Sequence, residues 1–170
     1  NYLKQNKKFK AYMFYGQSIF LIEQYALAIA QSLGNDDEIE KLYFEDYDFK
    51  YAKDKLLQSS LFSSNNIILI KLDKKIPKKE VDSLIEACNL NPDSTLIFAC
   101  LGDSDFKTME ASFSLKTNSA AVRFFLPTDT EAIKFLEYEA KMLNMKVEAS
   151  ALNHLYFMHK NDLALCVNDM

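Results

Sequence analysis

The chain has 170 residues, 49% hydrophobic and 26% charged, which places it in the soluble globular class with one good core or one domain plus a smaller appendage. A net charge of −4 speaks against a domain built mainly to hold nucleic acid, and apolar runs of only a handful of residues exclude a membrane-spanning helix. Cys88, Cys100 and Cys166 lie far apart without metal spacing and leave an odd thiol, so we expect ordinary buried thiols in a reduced, cytoplasmic setting. His154 and His159 are five apart, poor spacing for one helical face, and no metal site is expected.

Strand and helix candidates alternate along the chain. Residues 1–10, NYLKQNKKFK, carry charge without the apolar stretch of a signal peptide. AYMFY (11–15) is a short aromatic strand ended by Gly16. Ile19, Ile22, Ala26, Ile29, Ala30 and Leu33 then form a helical stripe over 18–33, closed by Gly34. KLYFED (41–46) is a second strand candidate, and residues 49–58 suit a helix. NIILIKL (66–72) is apolar at consecutive positions, as a strand buried on both faces requires. Pro77 opens a helix bearing Val81, Leu84, Ile85 and Cys88. NPDS makes a turn, and TLIFACL (95–101) and AAVRFFL (120–126) complete the strands.

The rhythm changes after Pro127. Thr128 and Glu131 make a capping box before a helix with Ile133, Leu136, Ala140 and Leu143 on one face, and the remainder reads as helical. We therefore expect a mostly parallel sheet with helices on both faces over 1–127, then a helical domain over 128–170. The chain opens on Asn1 rather than Met and stops inside an apparent helix, both read as the bounds of a fragment.

A strand, a glycine and a helix at 11–33 invite a phosphate-loop test. The loop G-x-x-x-x-G-K-[ST] needs glycines so that backbone N–H groups wrap the phosphates, with a lysine and a hydroxyl for charge and magnesium. From Gly16 the sequence runs GQSIFLIE: Leu21 replaces the second glycine, Ile22 the lysine and Glu23 the hydroxyl. A dinucleotide fingerprint fails as well, because the glycines stand only at 16, 34 and 102. Asp73 ends the third strand candidate like a magnesium-binding acid, but Lys74 follows where a second acid would stand. Arg123 is the sole arginine. No nucleophile motif is present, so no catalytic residue and no cofactor are expected. The acid-rich stretches at 35–40 and 44–48 read as surface charge, and KLDKKIPKK (71–79) as a solvated loop, with a phosphate-backbone contact through Lys74, Lys75, Lys78 and Lys79 as the alternative.

One stretch stands out between the second helix candidate and the third strand: DKLLQSSLFSSNN (54–66), where Leu61 and Phe62 sit between two pairs of serines. They are either a corner of the core or a plug for another protein. Adjacent helical residues point about 100° apart, so both bury together only where the chain turns, and serines favour such a turn.

The order of these pieces resembles the delta subunit of the bacterial clamp loader, part of the DNA polymerase III holoenzyme. The resemblance is carried by YMFYGQSIFLIEQ, SLFSSNNIILIKL, STLIFACL, VRFFLPTDTEAIKFLEYEAKMLNMKVEASALNHL and NDLALCVNDM, and by the failed phosphate loop. It implies an α/β, AAA+-like (P-loop NTPase-like) fold: a mostly parallel five-stranded sheet with flanking helices, then a small helical lid domain, with a third collar domain beyond residue 170. It implies a non-catalytic role without ATP, in which the subunit binds the ring-shaped sliding clamp (the beta subunit) and helps open it. Other loader subunits and primed DNA are the further implied partners. The family's gripping leucine and phenylalanine match Leu61 and Phe62. Its additional apolar contact matches Ser59, a polar departure, and Leu57 is the candidate to share that contact. Two further readings stay open: an AAA+ ATPase with a degenerate loop, and an unrelated α/β regulatory or scaffold domain.

Overall fold

The computed structural model describes residues 8–58 and 65–170. The chain divides into two compact units, Asn1–Phe124 and Phe125–Met170. In the first, strands β1 (Ala11–Gly16), β2 (Ile39–Tyr43), β3 (Asn66–Leu72), β4 (Ser94–Cys100) and β5 (Ser119–Phe124) form a sheet of order β2-β3-β4-β1-β5, with every neighbouring pair parallel. Helices α1 (Ile19–Leu33), α2 (Phe49–Leu57), α3 (Lys78–Leu90) and the single turn α4 (Lys107–Glu110) make the crossovers.

Side-chain alternation divides the core into two layers. Met13, Ile68, Ile70, Leu96 and Phe98 face Ala52 and Leu56 of α2 and Val81, Leu84, Ile85 and Cys88 of α3. Tyr12, Phe14, Ile67, Leu69, Ile97 and Ala99 face Ile22, Ala26 and Ala30 of α1. All seven residues of β4 are buried, which accounts for its unbroken apolar run. The alternating α/β reading and the stripe of α3 therefore hold.

Four expectations need correction. The second strand begins at Ile39 and ends at Tyr43, because Phe44 turns at φ 41° into a 3-10 turn, Phe44–Asp46. That is a costly conformation for a bulky residue, and an apolar run does not announce it. Ile19 is 52% exposed, one turn too early on α1 to reach the sheet. Leu143 is exposed at the end of its helix, and Ala132 takes the place in the buried stripe. Helix α4 was not anticipated, since four residues show no periodicity.

In the second unit, α5 (Asp129–Met142), α6 (Ala149–Met158) and α7 (Leu163–Asn168) bury Ala132, Ile133, Leu136, Ala140, Leu152, Tyr156, Leu163 and Cys166. The capping box forms as expected: Thr128 Oγ1 accepts from Glu131 N at 3.4 Å, and Glu131 Oε2 accepts from Thr128 N at 2.9 Å. These bonds from Thr128 hold the Glu131 carboxyl below its usual range. Asn144, Lys160 and Asn161 adopt left-handed conformations where α5 and α6 end.

Candidate functional site

Parallel strands put all their carboxyl ends on one edge of the sheet, where nucleotide chemistry would sit. That edge is tightly packed. Gly16 has φ 135°, and a Cβ built on it would overlap the Phe124 carbonyl oxygen of β5, with the carbonyl carbon at 2.8 Å. Gln17 N donates to the same oxygen at 2.7 Å. A Cβ on Gly102 would overlap the backbone oxygen of Asp73. Both glycines thus serve close backbone approach. Glu23, at the position of the loop's hydroxyl, pairs with Lys71 Nζ of β3 at 2.6 Å, and Lys71 also lies 5.1 Å from the Tyr43 ring centre. The side chains of α1 and β3 satisfy one another there with a carboxylate that would repel a phosphate.

The other candidates at this edge disperse. Asp73, Lys74 and Lys75 are exposed in the loop after β3. Lys78 and Lys79 are exposed in the first turn of α3, and Lys78 pairs with Asp82 at 2.8 Å, holding that carboxyl below its usual range. Arg123 lies 6.0 Å from the Tyr15 ring centre, and burial, then a bond to Glu110, pushes the Tyr15 hydroxyl up to about 12. Burial pushes the Cys88 thiol up to about 12 and raises Cys100 and Cys166, so all three are poor nucleophiles, as expected of buried thiols. His159 Nε2 meets Asp169 Oδ2 at 2.7 Å. Among the described residues no group of three or more His, Cys, Asp or Glu side chains converges as a metal site.

Of the remaining candidates, one is described at the opposite, amino edge. Leu57 is the last residue of α2 and is 42% exposed. Ser59, Leu61 and Phe62 lie outside the described residues. The points that bound them are firmly held. Leu56 O accepts from Ser94 Oγ at 2.6 Å and from Asn91 Nδ2 at 2.9 Å, and Gln58 O accepts from the same Asn91 nitrogen at 3.1 Å. Asn66 Nδ2 donates to Lys55 O at 2.6 Å and to Ser94 Oγ at 3.0 Å, while Asn66 N donates to Asp93 O at 2.9 Å. Sequence reading missed Asn66, Asn91 and Ser94. The only signal was the turn NPDS, which marks a change of direction and not a bonding partner. The seven residues of β3 span about 20 Å, so Leu57 and the lysines of 74–79 stand at opposite edges of the sheet.

This five-stranded parallel core, with its strand order and a glycine-to-helix turn after β1, defines an AAA+-type α/β protein in which the phosphate-loop residues are replaced. Two solved structures share the fold. The DNA clamp loader delta protein of Bacillus subtilis superposes with a TM-score of 0.67 at 16% identity, covering 98% of this chain and 53% of that one. A RuvB variant of Thermotoga maritima gives 0.57 at 13% identity, covering 98% and 54%. The family model of the DNA polymerase III delta subunit matches residues 12–125, most of the sheet unit, and the chain belongs to that family. A second model, described as a middle domain, matches residues 128–170. A curated protein of Helicobacter pylori strain J99 is 29% identical over 188 aligned positions, covering all of this chain and 55% of the relative. Its counterpart in strain 26695 covers the same share, so the chain spans about half the length of the curated relatives it matches.

Proposed function

We propose that this chain is the clamp-gripping part of a clamp loader delta subunit, which binds the sliding clamp and opens its ring during DNA replication within the DNA polymerase III holoenzyme. The subunit hydrolyses nothing itself and works in the cytoplasm beside other loader subunits and primed DNA. Residues 128–170 serve as its helical lid. The observation that carries the reading is the replaced phosphate loop in a delta-family chain: Gly16 is closed against Phe124, and Glu23 is engaged by Lys71. Such an edge leaves binding, rather than nucleotide turnover, as the work available to the fold.

Leu61 and Phe62 are the proposed anchors, entering an apolar pocket on the clamp, with Leu57 beside them and Ser59 supplying no apolar contact. Two desolvated apolar anchors contribute on the order of 2 kcal/mol each. Any DNA contact falls to Lys74, Lys75 and Lys79 more than to Lys78, whose charge Asp82 already engages. The test is titration of this chain with the sliding clamp of its source organism, against a Leu61→Ala/Phe62→Ala variant whose melting is followed in parallel. Saturable binding, weakened at least about tenfold in a variant that still melts cooperatively, supports the reading. No binding by the parent rejects it. A rise in melting temperature with millimolar Mg-ATP would favour a nucleotide-binding AAA+ protein instead.

A further inference from the structure

We propose that the outer edge of β5, with the groove beside it, is a docking site for an extended peptide segment of a partner protein, which adds a strand to the sheet and presents one apolar and one basic side chain. The site lies apart from the clamp-gripping reading and does not depend on it.

Strand β5 ends the sheet and pairs with β1 alone. Gln17 N donates to Phe124 O, so the backbone polar groups of Phe124 point to the β1 side. The two-residue period of a strand turns those of Ala120 and Val122 the same way, and those of Ser119 and Ala121 outward. Ser119 N donates to Ser114 O at 3.0 Å. Among the described residues no backbone partner meets the N–H and C=O of Ala121 on the outer side. Such an edge is a template for another strand, and proteins commonly guard it with charge. The other edge strand, β2, is guarded: it carries Glu40 and Lys41, Lys55 pairs with Glu40 at 3.3 Å, and the Tyr51 hydroxyl donates to the same carboxylate. Strand β5 reads SAAV over 119–122, without charge or proline, and its two alanines let another backbone approach.

A cavity of about 190 Å³ opens beside this stretch, walled by Phe9, Phe113 and Leu115 and lined by Ala120 and Ala121 of β5 itself. Leu115 is 56% exposed there. Small-molecule sites run from about 300 to 1,000 Å³, so this cavity takes one apolar side chain rather than a ligand. Strand addition uses these two parts together: main-chain bonds supply affinity, and a pocket for a side chain supplies specificity. Charge complementarity sets the remaining requirement. Among the described residues that line the cavity, Glu110 alone is charged. The Tyr15 hydroxyl bonds it, and a carboxylate with about four acceptor positions has room for a cation as well. The occupant is therefore an extended segment with an apolar side chain for the cavity and a lysine or arginine for Glu110.

The probe is a set of six-residue synthetic peptides, acetylated and amidated, with valine at alternate positions, leucine near the centre and one lysine stepped through the remaining positions; a parallel set carries glutamate in place of lysine. Backbone chemical shifts and amide exchange of this chain follow each titration. The Ala121 amide should exchange as an unbonded amide in the free chain and become protected at saturation, with shifts centred on residues 119–123. Lysine peptides should bind about threefold or more tighter than glutamate peptides, and Glu110→Gln should remove that preference. N-methylation of the peptide residue that pairs with Ala121 should weaken binding about tenfold. Ala121→Pro deletes the outward N–H at an edge position where proline is tolerated, and should weaken binding similarly. Should that variant fail to fold, the N-methylated peptide makes the same test on the parent chain. An Ala121 amide already protected in the free chain, no saturable binding by any peptide at millimolar concentration, or binding indifferent to N-methylation overturns the proposal. Protection of Ala121 that rises with the concentration of the chain itself would make a second copy the occupant, and would overturn it too.

Discussion

Replacing Gly16 by alanine tests whether the glycine after β1 serves sheet closure. The residue sits at φ 135°, where an L side chain is strained, at about 1–3 kcal/mol. The added Cβ would meet the Phe124 carbonyl, with its carbon at 2.8 Å and the Phe124 nitrogen also at 2.8 Å. Both obstacles are backbone of the paired strand β5, so no rotamer change relieves them. Separating the strands would also weaken the Gln17 N to Phe124 O bond, at about 1 kcal/mol. The sum is about 3 kcal/mol, which for a chain of this size lowers the melting temperature by about 10 °C. Gly34→Ala is the control. Its backbone is extended, and its new Cβ would meet side-chain atoms rather than backbone: Glu38 Oε2 and Ile67 Cδ1, each at 2.8 Å, and Glu38 Cβ at 3.4 Å. Thermal melts followed by circular dichroism read both variants. A Gly16→Ala loss no larger than that of Gly34→Ala would refute the reasoning.

Other substitutions and conditions test the remaining physics. Leu56→Ala empties a fully buried site between α2 and the sheet, and urea titration should show a loss of about 2–5 kcal/mol. Thr128→Ala removes the cap of α5 and should cost about 1 kcal/mol, seen as lost helical signal or faster amide exchange in residues 129–142; an unchanged exchange pattern would count against the cap. Alkaline pH should destabilise the chain. The Cys88 thiol ionises near 9 when unfolded and at about 12 when folded, so its contribution is fully present below pH 9 and lost as pH rises toward 12. At pH 10 the loss from this thiol is on the order of 1 kcal/mol. Cys100, Tyr15 and Tyr47 shift the same way, chiefly through burial, so a melting temperature unchanged between pH 8 and pH 10.5 would contradict the packing described.

The strands were legible because β1, β3 and β4 are buried on both faces and must read as consecutive apolar residues. The edge strand β2 was less so. Only Ile39 and Leu42 are buried there, and its end is set by the backbone of Phe44, which hydrophobicity does not encode. Leu143 was misassigned because spacing alone cannot tell the last turn of a helical stripe from a residue just past it. At the carboxyl edge the chemistry was readable, since a phosphate loop depends on residue types at fixed spacing. What fills the edge was not, because the Glu23–Lys71 pair joins residues 48 apart. The same limit hid Asn66, Asn91 and Ser94: polar side chains near turns are common, and only the fold brings three of them to one helix end.

The two edges of the sheet also allow the proposed division of labour to be examined by additivity. In the register of β1 and β4, Ala11 stands opposite Leu96. Gly16 lies five residues beyond Ala11 and Ser94 two residues before Leu96, so the two sites are separated by about 23 Å of strand. No polar group in the Ser94 cluster is shared with the Gly16–Phe124 contact. Sites so far apart without common partners add within about 0.5 kcal/mol. The double variant Gly16→Ala/Ser94→Ala should therefore lose the sum of the single losses in denaturant titration. Gly16→Ala should leave any clamp binding through the proposed anchors unchanged in a folded variant, because Gly16 stands at the other edge of the sheet from the end of α2. A coupling well beyond 0.5 kcal/mol, or a further loss of clamp affinity in a folded double variant, would mean that strain at the carboxyl edge travels through the sheet. The two edges of the sheet would then not be independent of one another.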